Sequence, residues 1–187
     1  MSQETTSQVR IGMPERKNWS DAQSEAAASV ASGPRGALYG PFKPLLHSPG
    51  LMGPLQDTGA YLRYGSELPR RYFEYVVLLV AAHWDQPFEW AHHEPLARAA
   101  GVTDEDVRSA RAGTQPASDD LVPLHDMVTE LLRTGRVSSH RFAPVESLLS
   151  SSKLIDLLGT VGYYTSLALI MNVADAPVTA GPSGSTP

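Results

Sequence analysis

The chain has 187 residues, 42% of them hydrophobic and 19% charged, which suits one domain with tails and a sizeable core. A formal net charge of -5 and a pI near 5.6 argue against a nucleic-acid partner, which would need a basic surface, and the scattered Lys and Arg form no run for an anionic membrane. The absence of cysteine excludes disulfides, thiolate nucleophiles, zinc–thiolate sites and dithiol redox chemistry in this chain.

The first residues, MSQETTSQVR, are polar and lack the apolar core of a signal peptide. Residues 1 to about 18 are expected to be a disordered tail, and 176–187, rich in Gly, Pro, Ser and Thr, a flexible one. Between them lies one helical domain, 19–175. The longest apolar run, Tyr75 to Ala82, is too short to cross a bilayer, so a soluble, cytoplasmic protein is expected.

Ser20 is placed to cap a short helix through Val30, which Gly33-Pro34 ends. The following GPRGALYGPFKPLLHSPGLMGP combines Gly and Pro with Leu, Tyr and Phe, so it reads as an ordered loop lying on the domain, either walling a pocket or simply packing on the core. A helix is expected over Leu51–Tyr64. A second, Pro69–His83, is apolar nearly all round beyond its first turn and should be buried.

Pro87 can start the next helix, which ends before Gly101. Thr103 with Asp106 forms an N-terminal capping signature for a helix through Arg111. Ser118, Asp119 and Asp120 then open a helix with Leu121, Leu124, Val128, Leu131 and Leu132 on one stripe. The last helix, about Ser152–Val173, contains Gly159 and Gly162, which cost helix propensity and suggest close helix contact. Strand alternation is absent, and the fold class is all-α.

Chemistry concentrates in RYFEYVVLLVAAHWDQPFEWAHHEPLARAAG, from Arg71 to Gly101. Glu89 and His93 are four apart and share a helix face, while Trp90 and His92 point about 100° to either side. Such a pair can move a proton near neutral pH, or can be a surface pair that supports a helix by a few tenths of a kcal/mol. Glu74 sits in the apolar helix, where a buried carboxylate needs a partner; it occupies the helix's wet face, pairs with Arg71, or is buried.

His83 suits a helix C-terminus, and His125 and His140 show no partner spacing. Glu89-x-x-His92 is half of a di-iron motif whose second half is missing, so no metal is expected. Ser150-x-x-Lys153 in a serine-rich turn reads as chance. Tyr163 and Tyr164 read as core aromatics, one of which can line a pocket.

Two blocks, Glu74–Gly101 with its EWxxHxxxAxxAG pattern and Leu154–Asn172, resemble the carboxymuconolactone decarboxylase family and its alkylhydroperoxidase D-like branch. The resemblance implies an all-helical bundle that assembles as a homo-oligomer, a trimer or hexamer. It also implies a proton relay in which Glu74 and His93 take the Glu and His positions. Gln86 and Glu89 stand where the redox branch carries its two cysteines, so thiol peroxidase chemistry is excluded.

What the resemblance leaves is a cofactor-independent lyase or isomerase acting on a small carboxylated or enolisable substrate. His93, Glu89 and Glu74 would be its catalytic residues. Arg63 or Arg71 would hold a substrate carboxylate, with Trp90, Tyr163 and Tyr39 as further substrate contacts. The alternatives are a non-catalytic small-molecule binder or scaffold of the same fold, and a metal-dependent oxidase using Glu89 with His92 or His93. The chain is longer than the short decarboxylases, with an added N-terminal helix and Gly/Pro-rich loop.

Overall fold

A computed structural model describes residues 9–33 and 35–175; the expected C-terminal tail lies outside the described residues, as do positions 1–8 of the N-terminal one. The described residues are helical or irregular, with no strand among them. The organising element is α4, Arg70–His83, whose residues Phe73 through Ala81 are all buried, Glu74 included. Around it pack α5 (Pro87–Ala99), α6 (Asp104–Ala112), α7 (Val122–Thr134) and α9 (Ser151–Ala174). A period-free apolar sequence has no solvent face, so the helix is stable only at the centre. The surplus of apolar surface on α4 is covered inside one chain and does not itself call for a partner subunit.

On the outside, α1 (Asp21–Ser32) lies against α3 (Pro49–Ala60). Ser20 and Gln23 close a reciprocal capping box at its start. The Gly/Pro-rich segment is ordered: Phe42, Leu45 and Leu46 are buried, and a short α2, Phe42–Leu45, forms within it. Helix α3 continues into a π-helical turn, Tyr61–Gly65. Asp156 of α9 fixes that turn by accepting from the Tyr61 hydroxyl at 3.1 Å and from Ser66 Oγ at 2.6 Å.

Several local expectations are corrected. Helix α7 begins at Val122, because Ser118 spends its hydroxyl and amide on Asp106 and is not a cap. Helix α8, Ser139–Leu148, has no counterpart in the sequence reading, since it buries only Val145 and has almost no apolar period. Residues 9–18, expected to be part of a tail, contact the domain: Arg10 and Ile11 amides both donate to the Ala174 carbonyl, and a 3-10 turn forms at Arg16–Asn18. His125 does have a partner, the Tyr75 hydroxyl 3.1 Å from its Nδ1, on a helix fifty positions away where spacing gives no hint.

Gly159 and Gly162 make no close helix contact. Gly159 faces only a Leu62 methyl at ordinary distance, and Gly162 faces open space. They lie on the outer face of α9 beside the exposed Ile155, Leu158, Leu169 and Val173. The close approach occurs at Gly59 of α3, where a Cβ would fall 2.1 Å from the Tyr163 hydroxyl. By length and composition α9 could span a membrane, yet half of its apolar window is buried in the domain.

Asp106 is the main polar tie of the scaffold. Fully buried, it accepts from Thr103 N and Oγ1 and from Ser118 N and Oγ, with Arg71 3.8 Å away. Burial pushes its pKa up, but these hydrogen bonds outweigh burial and hold it down at about 2. Asp106→Ala should cost about 3 kcal/mol, because buried donors lose a charged acceptor. A depressed carboxyl stabilises above its unfolded pKa and loses that contribution as pH falls through the folded one. Thermal unfolding should therefore show wild type and variant converging as pH falls toward 2; equal stability at neutral pH would contradict the role.

Candidate active site

The site is assembled by the α4–α5 hairpin and closed by α9. The connecting turn places Asp85 in the left-handed region, φ 44°, and is tied to α9 by three hydrogen bonds. Trp84 Nε1 donates to Thr165 Oγ1 at 3.2 Å, Gln86 Nε2 to Asn172 Oδ1 at 2.7 Å, and Asn172 Nδ2 to the Trp84 carbonyl at 2.7 Å. Gln86 Oε1 also accepts from the Phe88 amide and so caps α5. Gln86 is thus a structural cross-link, with both ends of its amide engaged.

The rotation set by that turn brings Glu74 and His93 together. His93 Nδ1 lies 2.7 Å from Glu74 Oε2, and its Nε2 lies 3.5 Å from Glu89 Oε2. All three side chains are buried, at 0%, 1% and 3% exposure for Glu74, His93 and Glu89. The other oxygen of Glu74 pairs with Arg70, one helical turn earlier on the same face. Tyr164 packs edge-on against the His93 ring at 4.9 Å, and Phe73 flanks it at 6.5 Å.

The carboxylate at Nδ1 assigns the ring proton to that nitrogen and leaves the Nε2 lone pair facing Glu89. Burial raises the Glu89 pKa, against opposing pulls from His93, Arg35 and Arg63. Glu89 therefore holds a proton more readily than a free carboxyl does, even with the Arg35 and Arg63 guanidinium groups nearby. Glu74, His93 and Glu89 make one continuous line of groups able to pass a proton, with Arg70 paired to its inner end.

Glu89 and His93 open onto a narrow pocket with about 250 Å³ of empty space including its mouth. Its walls come from the Gly/Pro-rich loop (Arg35, Tyr39, Pro41), the π turn (Arg63), α5 (Phe88, Glu89, His92, His93) and α9 (Tyr163, Tyr164, Leu167). The loop reaches α5 because Gly40, at φ +53°, lies against the Phe88 ring, where a Cβ would sit 2.4 Å from ring carbons. Glu74 stands behind His93, outside the pocket.

Of the substrate contacts expected from sequence, Arg63, Tyr39 and Tyr163 line this pocket. Arg71 does not: about 100° around α4 from Arg70, it pairs with Asp120 at 3.3 Å near Asp106. Trp90 also faces elsewhere, donating to Glu94 at 2.7 Å with Arg111 over its ring. The partner of Glu74 is Arg70 rather than Arg71, a pairing that the four-residue spacing makes readable.

Arg35 and Phe88 were not anticipated, Tyr164 joins Tyr163 where only one of the two was expected to line a pocket, and His92, expected only as a possible metal ligand, is part of the wall. His92 does point away from the Glu89–His93 face, but the loop folds over it: Phe88 stacks on it within 3° of parallel and Tyr39 lies 5.8 Å away. Burial, helped by His93, Arg63 and Arg35, lowers its pKa to about 3, so it is neutral. Among the described residues no group of three or more His, Asp or Glu is arranged as metal ligands.

No curated protein sequence matches the chain. Residues 49–120, which run from α3 through α6 and contain Glu74, Glu89 and His93, match the family model described as Carboxymuconolactone decarboxylase family. That matched segment lies at the heart of the all-α domain, whose architecture is consistent with a carboxymuconolactone decarboxylase/alkylhydroperoxidase D-like fold.

Proposed function

We propose that this protein is a cofactor-independent lyase or isomerase that moves a proton on a small carboxylated or enolisable substrate. The observation that carries this reading is His93 held between two buried carboxylates, one of which borders a pocket. Glu74, paired with Arg70, orients the ring and balances the imidazolium that forms when Nε2 takes a proton. Glu89, raised by burial, is the group that exchanges a proton with substrate. In a decarboxylation the carbon–carbon bond to the carboxylate breaks, its electron pair enters an enolate, and Glu89 returns one proton to carbon with His93 resupplying it.

This division of labour refines the roles expected from sequence. Both ring nitrogens of His93 already face carboxylates, so His93 acts as the relay and Glu89 as the terminal acid. The missing thiols leave no peroxidatic step in this chain.

We further infer a homo-oligomer built through α9. Ile155 and Val173 are 66% and 59% exposed, and with Leu158 and Leu169 they flank the two small glycines of that face. A second copy of the same face would bury this stripe.

Three outcomes are expected. Loss of carbon dioxide, or deuterium wash-in from D₂O, followed by NMR over small keto acids and carboxylated lactones, should fall about 10²–10⁴-fold in His93→Ala and Glu89→Gln; turnover at the wild-type rate in either variant would contradict the mechanism. A raised carboxyl stabilises most below its unfolded pKa and loses that contribution as pH rises through the folded one. Glu89→Gln should therefore gain thermal stability relative to wild type as pH rises from about 4, and a parallel pH dependence would contradict the buried acid. Sedimentation should give a multiple of 20.2 kDa that Ile155→Asp reduces, whereas a single 20.2 kDa species for wild type would contradict assembly.

A further inference from the structure

The pocket that Glu89 lines is also lined by Arg63, His92 and Tyr163, each bringing a polar atom with nothing to bind. Arg63 Nε and His92 Nε2 are buried with no hydrogen-bond partner, and the buried Tyr163 hydroxyl has none beyond a loose approach by the Arg35 guanidinium, which leaves its O–H free to donate. A buried orphan of this kind costs about 1–3 kcal/mol, and three on one small pocket are not packing accidents of one loop. They come from three separate elements: the π turn, α5 and α9.

Each is held in place from behind. The π turn that carries Arg63 is clamped by Asp156, and Arg70 donates to the Arg63 carbonyl at 2.9 Å. Tyr163 is 5% exposed, and its hydroxyl is wedged against Gly59 with no room for a Cβ. His92 is stacked on Phe88. These are fixed donors, and neither Arg63 nor the nearby Arg35 pairs with a carboxylate among the described residues. A neutral histidine supplies one N–H, a tyrosine one O–H and a guanidinium its charge with directed N–H groups.

We propose that Arg63, Tyr163 and His92 form an oxyanion cradle, which holds the negatively charged oxygen of the ligand while Glu89 faces its carbon. The ligand class is a delocalised oxyanion, either the carboxylate of the bound acid or the enolate oxygen of the reacting molecule. The cradle rests on the reading of this pocket as the active site, and donors that share a pocket with the acid are the arrangement that would stabilise charge as it develops.

The test is binding by the full-length protein, which needs no knowledge of the natural substrate. Calorimetry would compare acetate with its neutral isostere acetamide, and absorbance titration would follow the ionisation of bound 4-nitrophenol. A carboxylate-holding cradle binds acetate about tenfold or more tightly than acetamide. An enolate-holding cradle instead shifts the bound phenol toward phenolate by about tenfold in its ionisation constant. Arg63→Gln should abolish whichever preference is found, and Tyr163→Phe, which keeps the ring against Gly59, should reduce it several-fold.

Neither preference in wild type, or the same preference in both variants when their melting temperatures are unchanged, would overturn the cradle. Failure of the relay looks different: a protein inert toward every acid tried that still prefers the oxyanion keeps the cradle and loses only the chemistry.

Discussion

Everything at this site follows from one awkward group, the Glu74 carboxylate inside the most buried helix of the molecule. A charge there is tolerable only if it is paired on both oxygens, because desolvation costs several kcal/mol per ion. Arg70 satisfies one oxygen from one turn earlier, and His93 satisfies the other from the next helix. The second partner fixes the relative rotation of α4 and α5. The turn between them, with Gln86 and Trp84 tied to α9, holds that rotation.

Once His93 is oriented by Glu74, its outer nitrogen can face only Glu89. The two carboxylates then sit in opposite surroundings, one beside a cation and a ring N–H, the other in a desolvated pocket wall. Environment thereby sets the two carboxyl groups apart, as in other sites that use two carboxyl groups for two tasks. Gln86 and Glu89, the positions that the family resemblance aligns with thiols of a redox branch, have different surroundings here: Gln86 is a cross-link between the turn and α9, and Glu89 lines the pocket.

The Glu89–His93 pair was legible in the sequence, because a four-residue spacing puts both on one helix face. Glu74 was less so: the apolar run around it left burial, a wet face and a pairing with Arg71 all open, and its place beside His93 came only from the family resemblance. Helix α6 was equally legible from Thr103 and Asp106, because a capping box is a local signal. The pocket wall was only partly so. Arg63, Tyr39 and Tyr163 could be named by residue type, but Arg35 and His92 meet across a loop whose path depends on the φ of Gly40. Helix α8 stayed invisible because it buries a single residue, and Arg71 misled because its true partners, Asp106 and Asp120, lie far along the chain. The glycines of α9 suggested close helix contact, and they make none within the described residues because they lie on its uncovered face.

The most direct test of the account is proton and nitrogen NMR of the His93 ring in the intact protein. An imidazole fixed by Glu74 should show a slowly exchanging, far-downfield Nδ1–H resonance that disappears in Glu74→Gln, with a nitrogen shift marking Nε2 as the unprotonated atom. A His93 ring without a protected Nδ1–H, or one unchanged by Glu74→Gln, would contradict the relay at its first link.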